Sequence, residues 1–513
     1  MKKTIATIIA MFCIISYSIA QSTYTPDAEY NLLRRTYQFN ADGSLDISYR
    51  KELKLIRNRA ITEYADKGET FILYNPQTDS LIINESYTLL PDGKKINTPF
   101  NAFINQLPSE CSDCDSYHEL REMAIVHTAL VPECIIVLDY TIHRIGDPKI
   151  QEQVILAEDC PIQQYELTIK SSLKKFYYSA NNIPSNAIQK SDEGYYNLSL
   201  TQIPQTHNDP YLPNASTLYP TIYITNHLDG NTLADFNAIT STPLHISDTL
   251  QKYLYREKNE EHIKVIRNHV IEQIKTNHIP SSLIGYRYQT AQNTYNNQCG
   301  TLTDKAILLT ALYQKAGYQA TLIPGTKEVV VTDGKKNHTT KMFDEQSISI
   351  EVIADGLTYL VYPNQEQKMH LVGAAIDNAY IIDTARTLEW NPKELEDGYF
   401  MFEIPQEKSQ FNIHPSQLTS NRKSPIKLHP VDEHFQYTIM LPYNVKMIGK
   451  NVNIHKSENG IGSVEITIKQ IGNKLTINKH LAITTDTINP EQYKKFRELV
   501  KLWYSNHELY FKQ

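Results

Sequence analysis

The 513-residue chain carries 50 Lys and Arg against 57 Asp and Glu, a formal net charge of -7. The charges form no long run of one sign, which excludes the basic footprint of a nucleic-acid-binding protein. With 41% hydrophobic residues the composition is that of globular domains, and at about one domain per 150 residues the length calls for roughly three hydrophobic cores.

The chain opens with Lys2 and Lys3, an apolar stretch from Thr4 to Ile15, and the small-x-small pattern Ser18-Ile19-Ala20. A charged start, a short apolar run and a small-residue site are the parts of a secretory signal peptide, so residues 1–20 are expected to be removed before Gln21. Cys13 lies inside the apolar run behind bulky Phe12, the wrong context for a lipid anchor. No later segment is long and apolar enough for a membrane-spanning helix. The expected location is therefore the periplasm or the cell surface.

Residues 21–240 read as a β-rich domain. Apolar residues alternate at Leu45, Ile47 and Tyr49 and at Ile136, Leu138, Tyr140 and Ile142, and turn signals stand at Asp42-Gly43, Asn75-Pro76 and Pro91-Asp92-Gly93. Short alternating runs punctuated in this way predict a β-sandwich. The Asn- and Pro-rich stretch Thr206–Asn214 predicts a long surface loop. Near Ser241-Thr242-Pro243 the period becomes helical: Asn259 caps a helix with Ile263, Ile266, Val270 and Ile274 on one face, and Leu302 to Lys315 form a second helix stopped by Gly317. A hairpin follows, with Ile348, Ile350 and Val352 alternating, Asp355-Gly356 turning and Thr358 to Tyr362 returning. Helices followed by antiparallel strands predict an α+β domain over 241–385. Residues 386–513 return to alternation at Val464, Ile466 and Ile468 and at Leu475 and Ile477, and Asn489-Pro490-Glu491 starts a helix carrying Tyr493, Phe496, Val500 and Trp503 on one face. This predicts a second β-rich domain with one helix.

Five cysteines remain after residue 20: Cys111, Cys114, Cys134, Cys160 and Cys299. An exported protein can form disulfides, and the odd number leaves one thiol over. Cys134 and Cys160 fall on strand-like segments that could be neighbours. Cys111-Ser-Asp-Cys114 lacks the second ligand pair of a zinc site, so it reads as a local disulfide or two idle thiols. No cofactor or metal is expected.

The most informative stretch runs from Cys299 through Gly300-Thr301-Leu302-Thr303-Asp304-Lys305-Ala306 and Leu308-Leu309 to Gly317. It resembles the core helix of the transglutaminase-like superfamily, in which a nucleophilic cysteine stands two residues ahead of an acidic one at the helix start. Unpaired N–H groups and the helix dipole favour a thiolate there. Counting back from Asp304, and placing the helix start by the Thr301/Asp304 capping pattern, both put the nucleophile's position at Leu302. The resemblance also implies a His at the start of one hairpin strand and an Asp at the end of the next, and those positions fall on Ser347 and Tyr362. An isobutyl group cannot attack a carbonyl, and Ser and Tyr cannot serve as base and orienting carboxylate; loss of one such member can cost about ten-thousandfold or more in rate.

The resemblance further covers Phe71–Pro76, Tyr87–Lys94, Thr98–Ala102 and Val126-His127-Thr128, similar to the β-rich domain of unknown function that precedes such cores in exported bacterial proteins. His127 reads as a structural histidine. The expectation is an exported transglutaminase-like protein, catalytically inactive, with a papain-like α+β core between two β-domains. Its expected role is binding or scaffolding in the cell envelope, with extended peptide, protein or cell-wall material as partner. The alternative is a thiol-dependent peptidase or amidotransferase using Cys299, with His338, His370, Asp344 and Asp377 as the available bases and carboxylates.

Overall fold

Period-two alternation dominates the architecture. The computed structural model describes residues 26–66, 71–146, 148–171, 176–191, 195–229, 236, 240, 243–255, 257–364, 369–372, 380–405, 409, 411–505 and 508–513. The leader expected over 1–20, Ser241, Thr242 and Asp377 lie outside the described residues. The chain divides into two compact units, one of residues up to 206 with 219–372, the other of 207–218 with those after 372.

In the first unit, β1 (Ala28–Phe39), β2 (Leu45–Leu55), β3 (Asp79–Leu89), β4 (Cys134–Arg144), β6 (Ile162–Ser171) and β8 (Tyr196–Ile203) belong to one eight-stranded sheet. The strands Ile188–Lys190 and Lys95–Asn97 form its edges. The alternation at Leu45, Ile47 and Tyr49 sets the register: Tyr49 faces Tyr140, Ile47 faces Ile142, and Leu53 faces Ile136. Side chains two apart share a face, so each such run presents one apolar side. A five-stranded sheet in the same unit joins β5 (Gln151–Ile155), β7 (Tyr177–Asn181), β9 (Thr221–Thr225), β11 (Thr326–Thr332) and β12 (Asn337–Phe343).

The helical stretch contains α1 (Glu260–Gln273), α2 (Ala291–Asn297) and α3 (Leu302–Lys315). Asn259 caps α1 by accepting the His262 N–H. Gly317, at φ 83°, ends the run after α3. Ile263, Ile266 and Val270 of α1 and Ile307, Leu308 and Leu312 of α3 are buried in one cluster. Ile350, Val352 and Val361 join it from β13 (Ser349–Ala354) and β14 (Leu357–Val361). With β10 (Gln319–Ile323) and His370–Leu371, these strands make a four-stranded sheet.

The expected fold class, multi-domain α+β and all-β with an N-terminal sandwich and a papain-like α+β core, is corrected by this arrangement. The described chain is mostly β, 44% strand against 19% helix, with seven helices and many small sheets. The helical stretch does not stand alone as a substantial core. Its own hairpin β11–β12 pairs with β7 from the N-terminal part through Tyr178 and Thr332, and four helices, Asp248–Leu254 with α1 to α3, on a four-stranded sheet are too little to form such a domain. The apolar period forms a helix through Ile263, Ile266 and Val270, with Ile274 just past its end, but the Lys- and Thr-rich hairpin beyond it carries no local pattern that announces its pairing with β7.

In the second unit, β15 (Tyr380–Leu388), β16 (Val431–Met440), β17 (Val452–Glu458), β18 (Gly462–Ile471) and β19 (Lys474–Ile483) form a sheet in the order β15-β16-β19-β18-β17. Val464, Ile466, Ile468, Leu475 and Ile477 are buried with Tyr493, Phe496, Val500 and Trp503 of α4 (Tyr493–Trp503).

Candidate functional site

The start of α3 is fixed by reciprocal capping. Thr301 Oγ1 accepts the Asp304 N–H at 3.2 Å, and Asp304 Oδ2 accepts the Thr301 N–H at 2.8 Å. Leu302 is therefore the first helical residue. Its side chain is 6% exposed and belongs to the apolar cluster of α1, α3 and the hairpin.

Asp304 is fully buried and receives four donors. Besides Thr301, the Tyr117 hydroxyl donates to Oδ2, the Gln289 N–H to Oδ1 at 2.7 Å, and Gln289 Nε2 to Oδ2 at 3.3 Å. Burial raises its pKa although every donor opposes the shift. Buried and held by four donors, Asp304 ties the helix start to the Tyr117 segment. Gly300 permits this packing: a Cβ there would stand 2.7 Å from Asp304 Cβ. Next in line, Lys305 is buried and donates to the Ile274 carbonyl at 2.9 Å and Thr276 Oγ1 at 3.0 Å. Burial pushes its ammonium down to about 8, with Arg267 adding repulsion.

Cys299 lies on a two-residue bridge with Lys275–Thr276 and is bonded to Cys114, with a Cα–Cα distance of 5.8 Å. The bond sits in a small apolar cluster with Cys111, Tyr117, Leu120, Ile279, Leu283 and Ile284. The local Cys111–Cys114 disulfide is thus replaced by a long-range one. Cys111, Cys134 and Cys160 are buried outside it. Burial raises the Cys111 thiol to about 11.

Ser347 closes a short 3-10 turn, Glu345–Ser347, just ahead of β13, and donates its hydroxyl to Asp344 Oδ2 at 2.6 Å. That turn reaches the helix start through Glu345, whose Oε1 accepts from Thr303 N at 3.0 Å and Thr303 Oγ1 at 2.8 Å. Tyr362 follows β14, and its carbonyl accepts from Arg267 Nε at 2.8 Å. The fold thus links the Leu302 and Ser347 positions through the Thr303–Glu345 contact, while Tyr362 is held to α1. Of the other groups considered with Cys299, His338 faces Asp333 at 3.7 Å and the Tyr177 ring, and His370 falls on the strand beside β14. His127 is part-buried, and burial with repulsion from Lys51 pushes its imidazole down to about 3.

Sequence reasoning missed Tyr117, Gln289 and Glu345, which carry the polar contacts around the helix start. Nothing in their local pattern signals partners 187, 15 and 42 residues away. Beside the Glu345 turn lies a cavity of about 520 Å³, lined among others by Tyr49, Tyr140, Tyr286, Phe343 and Glu345. Among the described residues no group of three or more His, Cys, Asp or Glu side chains is arranged for a metal ion, and no helix is long and apolar enough to cross a membrane.

Two family models match the chain. A domain of unknown function, DUF3857, matches residues 41–206, and a second, DUF3858, matches residues 399–509. No curated protein matches. Among solved structures, the crystal structure of a candidate protease from Parabacteroides distasonis is similar over 95% of this chain and 99% of its own, with a TM-score of 0.76 and 22% sequence identity. At that identity the likeness is one of fold.

Proposed function

We propose that this protein is an exported, catalytically inactive binding protein of the cell envelope, related in its helix-start motif to the transglutaminase-like superfamily. One observation carries the reading: the helix start presents Leu302, buried in the core, and the thiol three residues before it is bonded to Cys114. Acyl transfer by this mechanism needs a thiolate within reach of a base. In support, the Ser347 hydroxyl is directed to Asp344, and Asp304 is committed to four structural donors. Export rests on the Lys2-Lys3 start, the apolar run and Ser18-Ile19-Ala20.

The second reading, a peptidase or amidotransferase using Cys299, draws on the fold likeness to a candidate protease. It requires the Cys114–Cys299 bond to open and a base to approach. Alkylation of the folded protein without reductant, followed by peptide mass spectrometry, separates the two. The binding reading predicts no label on Cys299; rapid stoichiometric labelling there would overturn it.

A further inference from the structure

The inward face of β1 contains a charge with no visible purpose in packing. After a register shift between Tyr30 and Leu32, the side chains of Leu33, Arg35, Tyr37 and Phe39 share one face. Leu33, Tyr37 and Phe39 are buried. Arg35 stands among them, opposite Tyr49 on β2, which itself stands opposite Tyr140 on β4. The Tyr49 and Tyr140 rings are 5.4 Å apart, and the adjoining row reads Tyr37, Ile47, Ile142. Arg35, Ile47, Tyr49, Tyr140 and Ile142 form one wall of the 520 Å³ cavity; Leu283, Tyr286 and Phe343 line it from other segments.

The charged groups around the cavity differ in how they are used. Arg144 is bidentate to Asp79, at 2.8 and 2.9 Å. Glu152 accepts the Tyr37 hydroxyl at 2.7 Å, Asp344 accepts the Ser347 hydroxyl at 2.6 Å, and Glu345 accepts from Thr303. Among the described residues the Arg35 guanidinium donates to no hydrogen-bond acceptor; Glu152, already engaged by the Tyr37 hydroxyl, is the carboxylate that acts on it electrostatically, and the guanidinium's contact is with the Tyr37 ring, 5.3 Å from the centroid. A partly desolvated guanidinium without an acceptor is unfavourable, and apolar replacements of buried charges are often neutral or stabilising. Packing therefore does not account for Arg35.

We propose that this cavity binds a ligand bearing a single carboxylate on an apolar or aromatic body, the chemistry of a peptide's C-terminal residue, with Arg35 as the bidentate anchor. A guanidinium fork matches a carboxylate geometrically. A monoanion fits better than a phosphate, because Arg144 is already neutralised and Glu152, Asp344 and Glu345 line the same space. The tyrosine and isoleucine wall suits an apolar body, and the volume is within the range of small-ligand sites. The inference rests on the binding reading above and supplies its ligand class.

The test is isothermal titration of the full mature chain with N-acetyl-phenylalanine and N-acetyl-leucine, each as free acid and as C-terminal amide, to about 10 mM. The acids are expected to bind about tenfold or more tightly than the amides, with Arg35→Leu removing that discrimination while the melting temperature holds or rises. Arg35→Gln, closer in shape, is measured alongside in case the leucine variant fails to fold, with the same loss expected. Equal binding of acid and amide, no binding of any of the four, or retained discrimination in folded Arg35 variants would overturn the proposal. Peptide hydrolysis with discrimination intact would overturn only the inactive reading, whereas no hydrolysis and no discrimination would overturn only this one.

Discussion

The sulfur of Cys299 is bonded to that of Cys114, 185 residues earlier in the chain. The bond fastens the segment entering α3 to the segment that carries Tyr117, and it occupies the thiol three residues before the helix start. A cross-link closing so long a loop restricts the unfolded chain strongly, a contribution of roughly 2–5 kcal/mol. Replacing both cysteines by serine should therefore lower stability by that order in equilibrium denaturation. An unchanged midpoint for the double variant would show that the bond holds nothing together.

Asp304 depends on its donors. Tyr117→Phe removes the hydroxyl while keeping the ring, and should cost about 1–3 kcal/mol because a buried carboxylate loses one of four partners. Gly300→Ala should destabilise as well, since the added methyl meets Asp304 Cβ at 2.7 Å. Urea titrations of both variants check this; if Tyr117→Phe matched the wild type, the hydroxyl would not be holding the helix start.

Lys305 gives a pH signature. Its folded-state pKa is depressed to about 8, below the unfolded value of about 10.4. As pH falls from above the unfolded value toward 8, the unfolded chain takes up the proton first and the folded state loses stability relative to it. The difference in stability between wild type and Lys305→Met should consequently rise with pH across that window, by on the order of a few kcal/mol, and be flat below it. A flat difference throughout would mean that the ammonium is not desolvated.

Leu302→Cys supplies the thiol that the motif lacks. Because the side chain is in the core, the substitution should cost roughly 2 kcal/mol in packing and confer no transamidation or glutaminase activity. Measurable turnover from this single change would mean that a competent base already faces the helix start.

Local signals were legible in the sequence where one element contains its own evidence. The Thr301/Asp304 capping pattern placed the start of α3 at Leu302, and alternation at Leu45–Tyr49 placed those side chains on one face. The hairpin across Asp355-Gly356 followed from its turn residues and apolar spacing. What depends on distant partners was not legible. The spacing of Cys111 and Cys114 suggested a local pair, because only the folded chain brings Cys299 to Cys114. Tyr117 and Glu345 carry no local mark of the contacts they make. Arg35 is an intermediate case: the run Leu33, Arg35, Tyr37, Phe39 already sets a charge on an apolar face, but the cavity beside it is completed by segments more than 200 residues further on, around Tyr286 and Phe343.

The central claim is that no nucleophile serves the helix start. A peptidase, glutaminase and transamidation panel on the oxidised protein, repeated after mild reduction and with Cys299→Ala, tests it most directly. No turnover is expected in any of these states. Turnover that appears on reduction and disappears in Cys299→Ala would contradict it.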